Sequence, residues 1–273
     1  MSGSLFVLAC NHLCRPGIPS WVHDWAGENH TDYPYENRWA DFMWNMYDAS
    51  SKVPAIFKRH RDSIVLVDGY FVDRIVATGD PMEVHDWKSS IPIWDSWTAM
   101  TGLDKDPHKP YVTGGDINNA LWRCLVGNVA FTGQSSDPQP FSKLTQEHYS
   151  EYEAWKKEIR TAVEGQWMLS MESAAVYMAA AITARHRRLF ITEQGYLGMG
   201  ALTTAVSDEV YVLLGSNVPF VTRTAAPPTD DGIEPLDPSI KTYTLIGECY
   251  LQGVMDGEIL LDPKFRQKTI ALC

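Results

Sequence analysis

The sequence predicts an α+β protein: a curled antiparallel sheet or small β-barrel of about six strands, packed with several helices. Three observations carry this. The segment 188–258 has period-two hydrophobicity broken by Gly, Asn and Asp turn signals, which reads as a β-meander. Residues 166–185 are Ala- and Met-rich and apolar nearly all round, so a helix there is expected to be buried. A chain of 273 residues with 45% hydrophobic content can bury one large core, and a single domain over 1–273 is expected.

The elements follow in order. Arg15 to Trp25 contains two prolines, which rule out a regular helix, and two Trp that can anchor an extended segment. Glu36 to Asp48 places Trp39, Phe42, Met43, Met46 and Tyr47 at helical spacing. Ser63 to Thr78 reads as a hairpin turning at Asp68-Gly69 between two β-branched runs. Short helices are predicted over Pro92–Gly102 and Asp116–Val126, the second capped by Asp116. Leu144 to Val163 reads as a charged surface helix.

Strands are predicted at Leu189–Glu193, Glu209–Leu214, Pro219–Thr224 and Thr242–Leu251. Gly215-Ser-Asn-Val supplies a tight turn between the second and third. Four prolines and several acids make 226–239 a loop. Gly195, Gly198 and Gly200 read as tight turns or bulges, and the acids of the meander as turn or surface groups.

Composition excludes several functions. A net charge of −11 argues against nucleic acid and anionic membranes, because phosphate binding needs a basic face. Two basic clusters, Lys58–Arg61 and Arg185–Arg188, read as solvated ends of strands. No apolar run approaches the roughly 18 residues of a membrane span, and Leu5 to Cys10 is too short for a targeting segment. Five scattered cysteines suit free thiols in a reducing, cytoplasmic setting. Cys10-Asn-His12-Leu-Cys14 has no second ligand pair, so neither metal nor other cofactor is expected.

Familiar catalytic motifs are missing from the sequence: G-x-S-x-G, H-E-x-x-H, a Walker loop and a dinucleotide fingerprint. The candidate site is placed on the apolar helix. There Glu172 can be a buried acid with a raised pKa, and Tyr177 a hydroxyl donor. Trp122, Met168 and Met171 are the candidate cavity lining, since indole and thioether surfaces shape themselves around greasy ligands. The alternative is that Glu172 faces solvent or pairs with an arginine, while Tyr177 and the lining residues only pack in a large mixed core.

Three islands resemble the fungal heterokaryon-incompatibility family. Gly17-Ile-Pro-Ser-Trp-Val-His-Asp-Trp25 is similar to its opening GLPSWVPDW, with His23 where proline is common. Leu121-Trp-Arg-Cys-Leu-Val-Gly127 looks like its central helix, with Cys124 in place of threonine. Phe190 to Gly198 and Gly247 to Glu258 match its late glycine-rich pattern most closely, with Ala201 where the family usually has proline. The resemblance implies the C-terminal scaffold of such proteins without the amino-terminal incompatibility domain.

Two functions, and a degenerate remnant without activity, are compatible with this reading. The first is a cofactor-independent cyclase or isomerase, of pericyclase or Diels-Alderase type, acting on a small apolar polyene-like intermediate of fungal specialised metabolism. Such a catalyst needs a shaped cavity and one or two hydrogen-bond donors. The alternative is a non-catalytic recognition module of the incompatibility system. The sequence favours the first narrowly and leaves the oligomeric state open.

Overall fold

The computed structural model describes residues 18–22, 44–82, 87–131, 141–161, 176, 179–180, 183–226 and 236–273. Its strands are β1 (Phe57–Arg61), β2 (Ile64–Thr78), β3 (Val129–Phe131), β4 (Phe141–Lys143), β5 (Arg187–Thr192), β6 (Leu197–Ala201), β7 (Glu209–Leu213), β8 (Phe220–Thr224), β9 (Thr242–Glu248), β10 (Tyr250–Leu251) and β11 (Gln267–Leu272). Helices α1 (Trp87–Thr101), α2 (Ile117–Leu125), α3 (His148–Thr161) and the short α4 (Glu258–Leu261) accompany them.

Five strands close a ring in the order β2-β11-β9-β8-β7, with β7 pairing back onto β2. All neighbours are antiparallel except β11 and β9, which run parallel. Closure removes most of the unpaired edge that an open sheet would present. The ring follows from alternation along its strands. Tyr211 and Leu213 of β7 join one hydrophobic cluster with Val65, Val67, Phe220, Tyr243, Leu245, Ile270 and Leu272. Their neighbours Val210 and Val212 join another, with Val72, Ile75, Phe190, Val221 and Ile246. One face therefore fills the barrel and the other packs outside it, which is why all of β7 is buried.

The outer cluster is covered by a second group of strands. β2 continues past the ring, and Ile75–Thr78 pair with β5, which leads to β6 and β10. α2 packs on β6. Its start is fixed by Asp116, whose carboxylate accepts from the Asn119 backbone N–H at 2.7 Å, as the sequence predicts. Aromatic contacts then bind the helices together. Trp94 meets Trp97 and Trp155 edge-to-face, with centroids 5.3 Å apart in both pairs, and Tyr152 bridges Trp155 to Trp122.

Several expectations are corrected. More strands form than the six expected. Asp68-Gly69 is not a turn, because β2 runs straight through it for 15 residues. Gly69 is there because a side chain would lie 2.7 Å from the Val212 carbonyl oxygen on β7. The true hairpin joins β1 to β2. Gly198 and Gly200 are strand residues, and a Cβ at Gly198 would strike the ring of Phe190, its cross-strand partner. Thr242–Leu251 is two strands, because the chain leaves the barrel at Cys249 and joins β6 as β10. The helix expected from Pro92 begins at Trp87.

The meander's charges are also corrected. Asp208, Glu209 and Glu248 are buried rather than superficial. Arg187 is buried too, so its cluster is no solvated strand end. It pairs with the Glu248 side chain, and its Nη1 donates to the Glu248 carbonyl at 3.2 Å, tying β5 to the end of β9. Arg223 clamps the Asp208 carboxylate at 2.7 and 2.9 Å. Isolated buried carboxylates are costly, and a guanidinium against each offsets that cost.

Candidate functional site

A cleft of about 610 Å³ opens at one end of the barrel, a volume suited to a small molecule or a short peptide stretch. Phe71 and Arg74 of β2, Glu209 and Tyr211 of β7, Lys268–Ile270 of β11 and the approach to β9 line it. Arg74 and Glu209 are direct cross-strand partners. The β2–β7 register shifts between Phe71 and Asp73 just before this pair. Such bulges re-aim the side chains that follow them.

The floor of the cleft is a hydrogen-bonded group inside the ring. Tyr211 and Tyr243 lie on strands separated by β8, yet their hydroxyls are 2.9 Å apart, so they meet across the barrel interior. The Tyr243 hydroxyl donates to Glu209 Oε2 at 2.7 Å and the Tyr211 hydroxyl reaches the same oxygen at 3.4 Å. Arg74 Nη2 donates to Oε1 at 3.1 Å. The Phe71 ring stands edge-on to Tyr211, with centroids 5.6 Å apart.

Burial pushes the Tyr211 hydroxyl up to about 12, and the bond from Tyr243 offsets part of that rise. Burial raises Tyr243 further, reinforced by its bonds to Tyr211 and Glu209. Both phenols therefore remain protonated donors at ordinary pH. Burial also pushes the Cys124 and Cys249 thiols well up, which disfavours the reactive thiolate. The arrangement is a rigid, satisfied floor beneath a rim that carries Arg74, Lys241 and Lys268.

The residues predicted for the site lie elsewhere or outside the described residues. Trp122 is fully buried in α2, donates from Nε1 to Asn119 Oδ1 at 3.0 Å and packs on Tyr149 and Tyr152. It is a helical-core residue and does not line the cleft. Met168, Met171, Glu172 and Tyr177 lie outside the described residues, as does the Cys10–Cys14 segment. Of the apolar helix, Val176, Ala179, Ala180, Thr183 and Ala184 are helical and buried, at the spacing of a single face. Sequence reasoning missed Glu209, Tyr211 and Tyr243. Their signal was phase: Glu209 and Tyr211 share the inward face of β7 with Leu213.

The glycine-bearing strand pair β5–β6 and the ring strands β7, β8 and β9 fall within a match to a known family. Residues 157–268 match the family model described as the Het-6 beta-barrel domain. Heterokaryon incompatibility protein 6, OR allele, of Neurospora crassa is 25% identical over 278 aligned positions, covering 89% of this chain. The chain is similar to the heterokaryon-incompatibility family. It spans 38% of that relative's length. No solved structure matches.

These matches overturn the cyclase expectation. Both matches point to the heterokaryon-incompatibility system, so cyclase, isomerase and pericyclase chemistry in specialised metabolism is not supported for this chain. The physical basis of that expectation has also weakened, since Trp122 is engaged by α2 and α3 instead of lining a cavity. Among the described residues, no helix is long and apolar enough to cross a membrane.

Proposed function

We propose that this chain is a non-catalytic recognition module of the heterokaryon-incompatibility system, acting through a protein partner in the cytoplasm. The observation that carries this is the match of residues 157–268 to the Het-6 beta-barrel domain. The cleft supports it. Its carboxylate and phenols bond mainly to one another, a setting suited to a stable surface. The free, buried thiols Cys124 and Cys249 fit a reducing compartment.

The whole chain acts as one unit in this reading. β2 at Ile64–Thr78 lies before the matched residues, and without it the ring is open between β7 and β11.

The test is genetic. The gene is expressed in one of two otherwise compatible fungal strains, and heterokaryon formation between them is scored. Reduced heterokaryon formation or death of fused cells supports the proposal. Unaltered formation with the protein demonstrably expressed refutes it.

A further inference from the structure

The seam between β11 and β9 is only partly closed. β11 pairs with β2 along its whole length, from Gln267 to Leu272, but with β9 only at Ala271 and Leu272. Asp68 is opposite Thr269, yet Asp68 N–H donates to the Ile56 carbonyl and its own carbonyl accepts from Leu214 N–H. The Asp68 groups thus face away from β11. Thr269 must therefore turn its own N–H and C=O away from β2, toward the β9 side. Ala271, two residues on, confirms the alternation, because its N–H donates to the Lys241 carbonyl. Below that bond the strand edge at Thr269 faces the cleft, with residues 237–241 on the far side.

The charges around this opening are unlike the rest of the chain. The lining holds Arg74, Lys241 and Lys268 against Glu209 and Asp237, three cations to two carboxylates, in a protein of net charge −11. Arg74 is committed to Glu209. Asp237 is held by the Ser239 N–H and hydroxyl, both at 2.8 Å. Among the described residues Lys241 and Lys268 make no ion pair, and the Lys268 ammonium stands 5.9 Å from the Phe71 ring centroid. The opening thus offers a strand edge, two uncommitted cations and an aromatic floor.

We propose that the gap receives an extended acidic segment of a partner protein, which adds to the free edge of β11 as an extra strand. Its backbone bonds the Thr269 N–H and C=O. Its carboxylates meet Lys241 and Lys268, and an apolar side chain between them rests on Phe71 and Tyr211. Strand addition of this kind draws affinity from main-chain bonds and specificity from alternate side chains. A second copy of this chain is a poorer occupant, because β1, the edge strand it would offer, carries Lys58, Arg59 and Arg61. The proposal names the partner chemistry of the recognition module above and so rests on that reading.

Random linear octapeptides displayed on phage are panned against the full chain. Enriched peptides are synthesised with, as control, copies in which Lys replaces every Asp and Glu. Enriched sequences are expected to alternate Asp or Glu with aromatic or β-branched residues, and to bind more weakly as salt rises. T269P deletes the N–H that faces the gap and leaves the β2 ladder intact. It should weaken binding about tenfold or more, as should the double variant K241E/K268E, while T269V should bind like the parent. Thermal melts check that each variant is folded, and the exposed lysine pair keeps the test decisive if T269P is not.

No acidic enrichment, equal binding of the lysine copies, or full binding by K241E/K268E overturns the proposal. So does a dimer that the lysine variant dissociates, which would assign the gap to a second copy. The heterokaryon assay reports separately: incompatibility retained by K241E/K268E would leave the recognition module standing and remove this site from it.

Discussion

Gly198→Ala tests whether the glycines of β6 exist to seat one phenylalanine. The added Cβ would lie 2.5 and 2.7 Å from two ring carbons of Phe190 and closer still to a third. Carbon atoms in contact prefer about 3.5–4.0 Å. The ring has little room to retreat. Phe190 is fully buried, and a Cβ on the second glycine, Gly200, would be only 3.2 Å from the same ring. Overpacking of this kind costs about 1–3 kcal/mol. At roughly 2–4 °C per kcal/mol for a chain approaching this size, Tm should fall by about 2–12 °C. Phe190→Ala alone should cost about 3–5 kcal/mol through the cavity it leaves. In the double variant the clash is gone, so its cost should equal that of Phe190→Ala, with a coupling as large as the whole Gly198→Ala penalty. Denaturant melts of the four proteins measure this. Strict additivity would refute the steric account.

Three further outcomes are expected. Tyr243→Phe removes the donor nearest Glu209 and should cost about 1.5–3 kcal/mol by urea unfolding; an unchanged midpoint would mean that the barrel floor is not held as described. Stability should fall as pH rises from about 10, where free tyrosine ionises, through about 12, where folded Tyr211 does, because a phenol raised in the folded state favours folding only while protonated. Tyr211→Phe should flatten that alkaline limb in a series of melts, and an identical slope would argue against it. Arg187→Ala strands the buried Glu248 carboxylate without its guanidinium and should cost about 3–5 kcal/mol; a loss under 1 kcal/mol by calorimetry would contradict the burial of that pair.

Much of the fold was legible because it is written in local pattern. Asp116 announces α2, Gly215 the β7–β8 turn, and alternation the strands from Leu189 onward. What escaped has non-local causes. Asp68-Gly69 carries a turn signal, but three neighbours, β1, β7 and β11, pair with β2 around it and override the local preference. β11 was missed because Gln267-Lys-Thr is polar; its outer face needs only Asp68, which accepts from Thr269 at 2.6 Å and Gln267 at 3.0 Å. Glu209 and Glu248 read as surface acids because their partners, Arg74 and Arg187, lie 135 and 61 residues away. The candidate site was sought on a helix because apolar composition is visible in one sequence and ring closure is not.

The sharing of β2 between both groups of strands governs when the fold can form. From Thr78 to Gln267 is 267 − 78 = 189 residues. At about 5–20 residues per second, a ribosome takes roughly 10–40 s to deliver the strand that closes the ring. During that interval β1 covers one margin of β2 while Val65 and Val67 wait for Ile270 and Leu272. Only β1 is available early, and its Lys58, Arg59 and Arg61 make that nascent hairpin repel its copies on neighbouring polysomes. A long-separated closure of this kind makes the newborn chain a natural client for holding chaperones, and makes yield from rapid heterologous expression sensitive to temperature.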